Sequence, residues 1–193
     1  MTTNSTWLKD YFDEIHRAVS TFGIPEELID IRTLWRSSAA AGNKILFAGN
    51  GGSAAIASHC AVDLTKNAGL RSITFNEVDL ITCFANDYGY EHWVEKAVEF
   101  YGDEGDVFIG ISSSGSSDNI LNGCRVARKK NFSKVITLSG MNSENPLRTI
   151  GDINLWANSK AYNHIENIHQ FWLLAIVDVI IGKAEYSSDP DAS

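Results

Sequence analysis

Five short apolar runs alternate with stretches of helical period through the middle of the chain, and this alternation sets the fold class. Residues 44–48, 71–75, 106–111, 134–138 and 153–156 are too short for helices and carry mostly aliphatic and aromatic side chains. Residues 53–67, 78–100 in two pieces and 117–130 separate most of them, with apolar positions recurring at helical intervals. Strands that alternate with helices form a parallel sheet covered on both faces. Right-handed crossovers then bring the C-terminal ends of the strands to one edge. The expected fold is α/β, a five-stranded parallel sheet flanked by helices.

Two further helices precede the sheet. Trp7, Tyr11, Phe12, Ile15, Val19 and Phe22 form one apolar stripe, which needs either the domain's own core or another subunit to cover it. Gly23 and Pro25 break that helix, and Pro25 suits the first turn of the next. Leu28, Ile31, Leu34 and Trp35 give the second helix its inner face. The last long helix covers roughly 163–182 and stops at Gly182. One domain over 1–193 follows: a helical pair (1–41), an α/β core (42–183) and a flexible tail (184–193).

The net charge of -8 argues against nucleic acid or an anionic membrane as partner. Cys60, Cys83 and Cys124 are odd in number and widely spaced, which suits free thiols in a reducing cytoplasm. The N-terminus is polar and acidic, unlike a secretory signal, and the apolar run 171–181 contains Asp178 and is short for a membrane span.

Two loops carry the chemistry. Gly49-Asn50-Gly51-Gly52-Ser53 follows the first strand, and Ser112-Ser113-Ser114-Gly115-Ser116-Ser117 follows the third. Both fall on the edge where open α/β sheets bind ligands. Hydroxyls, free backbone N–H groups and a helix N-terminus together suit a phosphate monoester. The G-x-x-x-x-G-K-[ST] and G-x-G-x-x-G patterns are absent, which disfavours nucleotide and nicotinamide binding.

His59 and Asp63 share a helix face beyond the first loop, where a base and a proton carrier can act on a bound sugar. Asn86-Asp87 reads first as turn-forming sequence. Asn163, Glu166, Asn167 and Gln170 make a polar face on the last helix, facing either water or a cleft. His169 lies off that face and reads as a packed or interface histidine; His16 and His92 lie in amphipathic helices.

As an ordered set, G-N-G-G-S-A-A, A-N-D-Y-G, I-S-S-S-G-S-S, K-V-I-T-L-S-G and I-E-N-I-H resemble the sugar isomerase (SIS) family, in its phosphoheptose isomerase branch. The resemblance spans nearly the whole chain. It implies a flavodoxin-like three-layer sandwich and a homotetramer with sites shared between subunits. It also implies isomerisation of sedoheptulose 7-phosphate to D-glycero-D-manno-heptose 7-phosphate, a precursor of bacterial surface heptose. Ser53, Ser112, Ser113, Ser114 and Ser117 match the phosphate-binding hydroxyls, with Gly51 and Gly52 in the same loop. Asn50 and Asp87 match sugar contacts, and Asp63, His59 and Glu166 match catalytic positions.

Four positions depart from the family pattern. Asp63 stands for a glutamate, Glu166 for a glutamine that also contacts substrate, and Leu174 for a histidine; Asn163 replaces a frequent aspartate. Some members bind zinc through the histidine at the position of His59, that glutamate, that glutamine and the histidine at the position of Leu174. Here His59, Asp63 and Glu166 remain as ligand types, with Leu174 in the fourth place. Leu174 leaves a second reading open: a non-catalytic phosphosugar-binding or protein-binding module of the replication-initiator-associated type.

Overall fold

The computed structural model describes residues 3–20 and 24–184. Phe22, Gly23 and the expected tail from residue 185 onward lie outside the described residues. Eight α-helices and five strands occur among them, in the order α1 (Asn4–Val19), α2 (Ile24–Ala40), β1 (Ile45–Gly49), α3 (Gly52–Lys66), β2 (Ser72–Thr74), α4 (Val78–Tyr88), α5 (Trp93–Tyr101), β3 (Val107–Ile111), α6 (Asp118–Lys129), β4 (Lys134–Ser139), α7 (Pro146–Ile150), β5 (Ile153–Trp156) and α8 (Tyr162–Ile181). A 3₁₀ turn, Tyr90–His92, joins α4 to α5. All five expected strands are present, and α7 is an addition, capped by Asn145 with Pro146 in its first turn.

The sheet is wholly parallel, in the order β2-β1-β3-β4-β5. Strand alternation builds two cores. Ile45, Phe47, Ile109, Ile111, Ile136 and Leu138 face one way, against α2, α3 and α8. Leu46, Ala48, Phe108 and Val135 face the other, against α5 and α6. Every residue of β1 and β3 is buried, as expected for central strands covered on both faces. Ile31 and Trp35 of α2 are fully buried, so the second helix belongs to the core.

The first helix contributes less to that core. Ala18 is buried and Ile15 and Val19 pack partly against it, while Trp7, Leu8 and Phe12 remain exposed. Among the described residues the chain partly covers Ile15, Val19 and Tyr11, whose ring meets His164 at 4.1 Å, and leaves Trp7 and Phe12 of the stripe open. Trp172 Nε1 donates to Val19 O at 3.1 Å and ties α1 to α8. Among the described residues α8 alone is long and apolar enough to cross a membrane. In this fold it is a core helix, burying Ile165, Ile168, Trp172, Leu173 and Ile176 beneath α2 and α3.

Between β1 and β3 the direction of winding reverses. Loops that follow strands on either side of such a switch point diverge and leave a crevice. Here they are the glycine loop and the serine loop.

Candidate functional site

The two loops meet in one cavity of about 130 Å³. Asn50, Ser53, Ser112, Ser113, Ser114, Ser117 and Glu166 line it, so seven residues expected from the sequence converge; Tyr162, which the sequence reading missed, also lines it. Ser112 Oγ contacts Ser117 Oγ at 2.9 Å and Ser114 Oγ at 3.5 Å. Ser113 Oγ is buried without a hydrogen-bond partner. A buried hydroxyl left unpaired costs stability unless a ligand or water completes it.

No lysine or arginine lines the cavity. Positive potential comes instead from the backbone. Three helix N-termini border the cavity through Ser53, Ser117 and Tyr162, and Gly51, Ser117 and Ala161 supply no side-chain cap to their helices. Uncapped first turns present free N–H groups and the positive end of the helix dipole. This is a cradle for an anion.

Buried supports fix its shape. Gly115 has φ of 68°, and a Cβ there would lie 2.0 Å from Asn145 Oδ1, so the serine loop needs glycine at its tip. Asn145 in turn donates to Ser139 Oγ and to the carbonyls of Gly140 and Asn142. Asn50 is held by a reciprocal amide pair with buried Asn119, at 3.0 and 2.8 Å. Tyr90 Oη donates to Asn50 Oδ1 at 3.0 Å. Asn119 and Tyr90 are supports that the sequence reading did not single out. Asn50 and Asn119 lie far apart in the chain, and only the fold brings them together.

From the cradle a polar seam runs between α3 and α8. At its near end Glu166 faces Gly52: a Cβ built on Gly52 would be 2.2 Å from Glu166 Oε2. Further along, Gln170 Nε2 lies 3.1 Å from His59 Nδ1, and His59 Nε2 lies 3.4 Å from Asp63 Oδ2. With the Gln170 amide donating to Nδ1, the imidazole carries its proton on Nε2, toward Asp63. Asn67 Nδ2 donates to Asp63 Oδ1 at 3.1 Å. Asp178 is near the same group: burial, and then the Asp63 carboxylate, push its pKa above the usual carboxylate value. Half of the polar face expected on the last helix thus lines a cleft, through Glu166 and Gln170. Asn163 and Asn167 are exposed.

Several expected placements need correction. Asp87 does not line the cradle. It sits exposed at the end of α4, accepting from Asn86 Nδ2 and Cys83 Sγ, because the turn-forming sequence there terminates a helix. Gly51 is the exposed N-cap of α3, and Gly52 contributes by leaving room for Glu166. His59, Asp63 and Glu166 do not gather into a metal site within the chain, because Glu166 lies at Gly52, two helical turns from His59. Among the described residues no three His, Cys, Asp or Glu side chains are grouped to hold a metal ion. The donor set therefore does not fit zinc within one chain. His169 is fully buried, with Nε2 at 3.0 Å from Ser139 O; burial lowers its pKa to about 4, against the opposing effect of that carbonyl.

A larger groove of about 490 Å³ runs along the sheet edge past Ser58, Val62, Thr65 and Glu77. It includes neither loop and no buried unpartnered polar atom, so it does not compete with the cradle as the site.

Known proteins share this architecture. The SIS domain model matches residues 10–140. Phosphoheptose isomerase from Proteus mirabilis (strain HI4320) is 39% identical over 138 residues, covering 69% of this chain and 71% of the relative. The Aliarcobacter butzleri (strain RM4018) phosphoheptose isomerase is 38% identical over 145 residues, covering 72% and 76%. A solved phosphoheptose isomerase structure from Neisseria gonorrhoeae superposes with a TM-score of 0.84 at 29% identity, over 92% of this chain and 99% of that one. The sheet order, the paired loops and these matches agree: the chain belongs to the SIS domain family.

Proposed function

We propose that this protein is an aldose–ketose isomerase that interconverts sedoheptulose 7-phosphate and D-glycero-D-manno-heptose 7-phosphate. The observation that carries the reading is the spacing between the cradle and the His59–Asp63 pair. Gly52, His59 and Asp63 share one face of α3. At a rise of roughly 1.5 Å per residue, His59 lies about 10 Å along the helix from Gly52. An extended chain of single bonds advances about 1.2 Å per bond. Phosphorus to C2 of a ketose 7-phosphate then spans about 8.5 Å, and to C1 about 10 Å. A phosphate held in the cradle thus lets the reacting end reach the level of His59, whose Nε2 lies 3.4 Å from Asp63 Oδ2. The relatives named phosphoheptose isomerase support the same activity, and nothing in them favours the non-catalytic reading.

The steps use side chains of this chain alone. Serine hydroxyls and the helix N-termini hold the phosphate end, and Asn50 on the same wall contacts the sugar. The Asp63 carboxylate takes a proton from C1 of the ketose, giving a cis-enediol, and returns a proton to C2. His59 moves a proton from O1 to O2, while Glu166, at the cradle end of the seam, contacts the chain next to the phosphate. Such groups contribute by matching proton transfer to carbon–hydrogen bond cleavage. No step is assigned to zinc.

The exposed Trp7, Leu8 and Phe12 of α1 and Phe171 of α8 support a homo-oligomer, a tetramer by family resemblance, in which copies share sites. The three cysteines are free thiols, consistent with a cytoplasmic protein.

The test is to incubate the purified protein with sedoheptulose 7-phosphate, beside six- and five-carbon ketose phosphates, and follow the aldose formed. The heptulose phosphate should turn over fastest, because shorter chains do not span the seam. Binding without any aldose product would overturn the isomerase reading in favour of a phosphosugar sensor.

A further inference from the structure

Among the described residues Tyr162 is the one aromatic side chain on the wall of the cradle. It is the first residue of α8, is 59% exposed and lies one helical turn before Glu166, so both project from the same face. Both line the cavity with the serines. Among the described residues neither Tyr162 nor Glu166 makes a hydrogen bond or ion pair. With the buried, unpartnered Ser113 Oγ, the cradle therefore has three uncommitted polar side chains on its wall. Such a convergence is what a site awaiting a ligand presents.

The lining shows where Tyr162 acts. Ser53, Ser112 and Ser113 are buried at the inner wall of the cavity, while Tyr162 is exposed at its mouth. The polyol chain of a phosphate held by the serines leaves through that mouth. The cradle has no cationic side chain, so each neutral donor that reaches the anion matters more than it would beside an arginine. A phenol is well suited to this position: its ring gives contact area at low entropic cost, and its O–H is a donor.

We propose that Tyr162 is a substrate-contacting residue: its phenol O–H donates to an oxygen of the bound phosphate monoester, and its ring forms the wall along which the polyol chain leaves the cradle. The assignment rests on the phosphosugar reading of the cradle, though not on turnover. It predicts a division of labour on α8, in which Tyr162 fixes the head group and Glu166, one turn on, meets the sugar.

The experiment compares wild-type protein, Tyr162→Phe and Tyr162→Ala as full-length chains. Dissociation constants for inorganic phosphate and for sedoheptulose 7-phosphate are measured by calorimetry, with melting temperatures of the unliganded proteins and steady-state kinetics alongside. Tyr162→Phe should bind both ligands about tenfold more weakly, the loss of one hydrogen bond to a charged acceptor, and the defect should appear in KM. Tyr162→Ala should weaken the sugar phosphate further than inorganic phosphate, because the wall is gone. Unliganded melting temperatures should match wild type, since the side chain is exposed. Unchanged phosphate affinity in Tyr162→Phe overturns the contact, whatever the alanine variant does. Weakened phosphate binding in that variant, with a wild-type protein that forms no aldose, supports the contact and sinks the isomerase reading instead.

Discussion

Replacing Gly52 by alanine would set a methyl carbon 2.2 Å from Glu166 Oε2, 2.6 Å from Cδ and 2.8 Å from Oε1. Ordinary contact begins near 3.4 Å, so the carboxylate must retreat by at least 3.4 − 2.2 = 1.2 Å. The three nearest atoms all belong to the free end of one flexible side chain, and Gly52 is helical. Its φ is not in the left-handed region, so alanine fits the backbone. In a helix alanine is favoured over glycine by about 0.5–1 kcal/mol, less in a first turn. Stability should therefore hold or rise slightly. Activity should not, because a substrate-positioning group displaced by about 1 Å can cost on the order of 10²-fold. We expect kcat/KM for sedoheptulose 7-phosphate to fall about 10²-fold in Gly52→Ala, with no drop in melting temperature. Glu166→Gln should be comparably impaired, and the double variant no worse than the weaker single, because both changes disable one carboxylate. Gly52→Ala with wild-type kinetics would refute a functional position for Glu166. A marked loss of stability would refute the packing argument.

Asp63→Asn should lower kcat by about 10²–10⁴-fold while sugar-phosphate binding, read by thermal stabilisation, persists; full activity would remove Asp63 from the mechanism. Tyr90→Phe should raise KM several-fold by freeing Asn50, and Asn119→Ala should raise it more, because it removes both bonds of the amide pair that holds Asn50; unaltered KM in both would deny Asn50 a binding role. His169 gives a stability signature. Its pKa is about 4 in the fold, against roughly 6.5 in an unfolded chain. The unfolded state therefore binds the proton more readily, and stability present above pH ~6.5 is lost as pH falls towards ~4, by roughly 3 kcal/mol in all. Denaturant titrations should show this slope in wild type and its disappearance in His169→Gln; an unchanged slope would mean other groups cause it.

Much of the site was legible because its signals are local. The apolar runs of β1, β3 and β4 mark buried parallel strands. The glycine and serine loops that follow β1 and β3 then had to lie on one edge, and they share one cavity. Legibility failed where the determining contact is non-local. Asn119 looks like an unremarkable residue in the first turn of a helix until the fold pairs it with Asn50. Tyr162 has no periodic or turn signature, and only the orientation of α8 turns it toward the serines. Gln170 was read as part of a polar face, but its contact with His59 depends on the register between α3 and α8. Asp87 shows the opposite case: its neighbours read as turn-forming and do end α4, and only the family motif marked it as a sugar contact. Trp7 and Phe12 follow a clear stripe whose period is right, yet the core they imply is not supplied by this chain.

The central claim is that a cradle for phosphate holds the far end of a sugar at His59, beside its partner the Asp63 carboxylate. Turnover of sedoheptulose 7-phosphate in deuterated water, followed by NMR of the aldose, tests it most directly. The account predicts deuterium at C2 of the product with wild-type protein and no exchange with Asp63→Asn. Product that forms with no solvent deuterium at C2, or equal exchange by the asparagine variant, would contradict it.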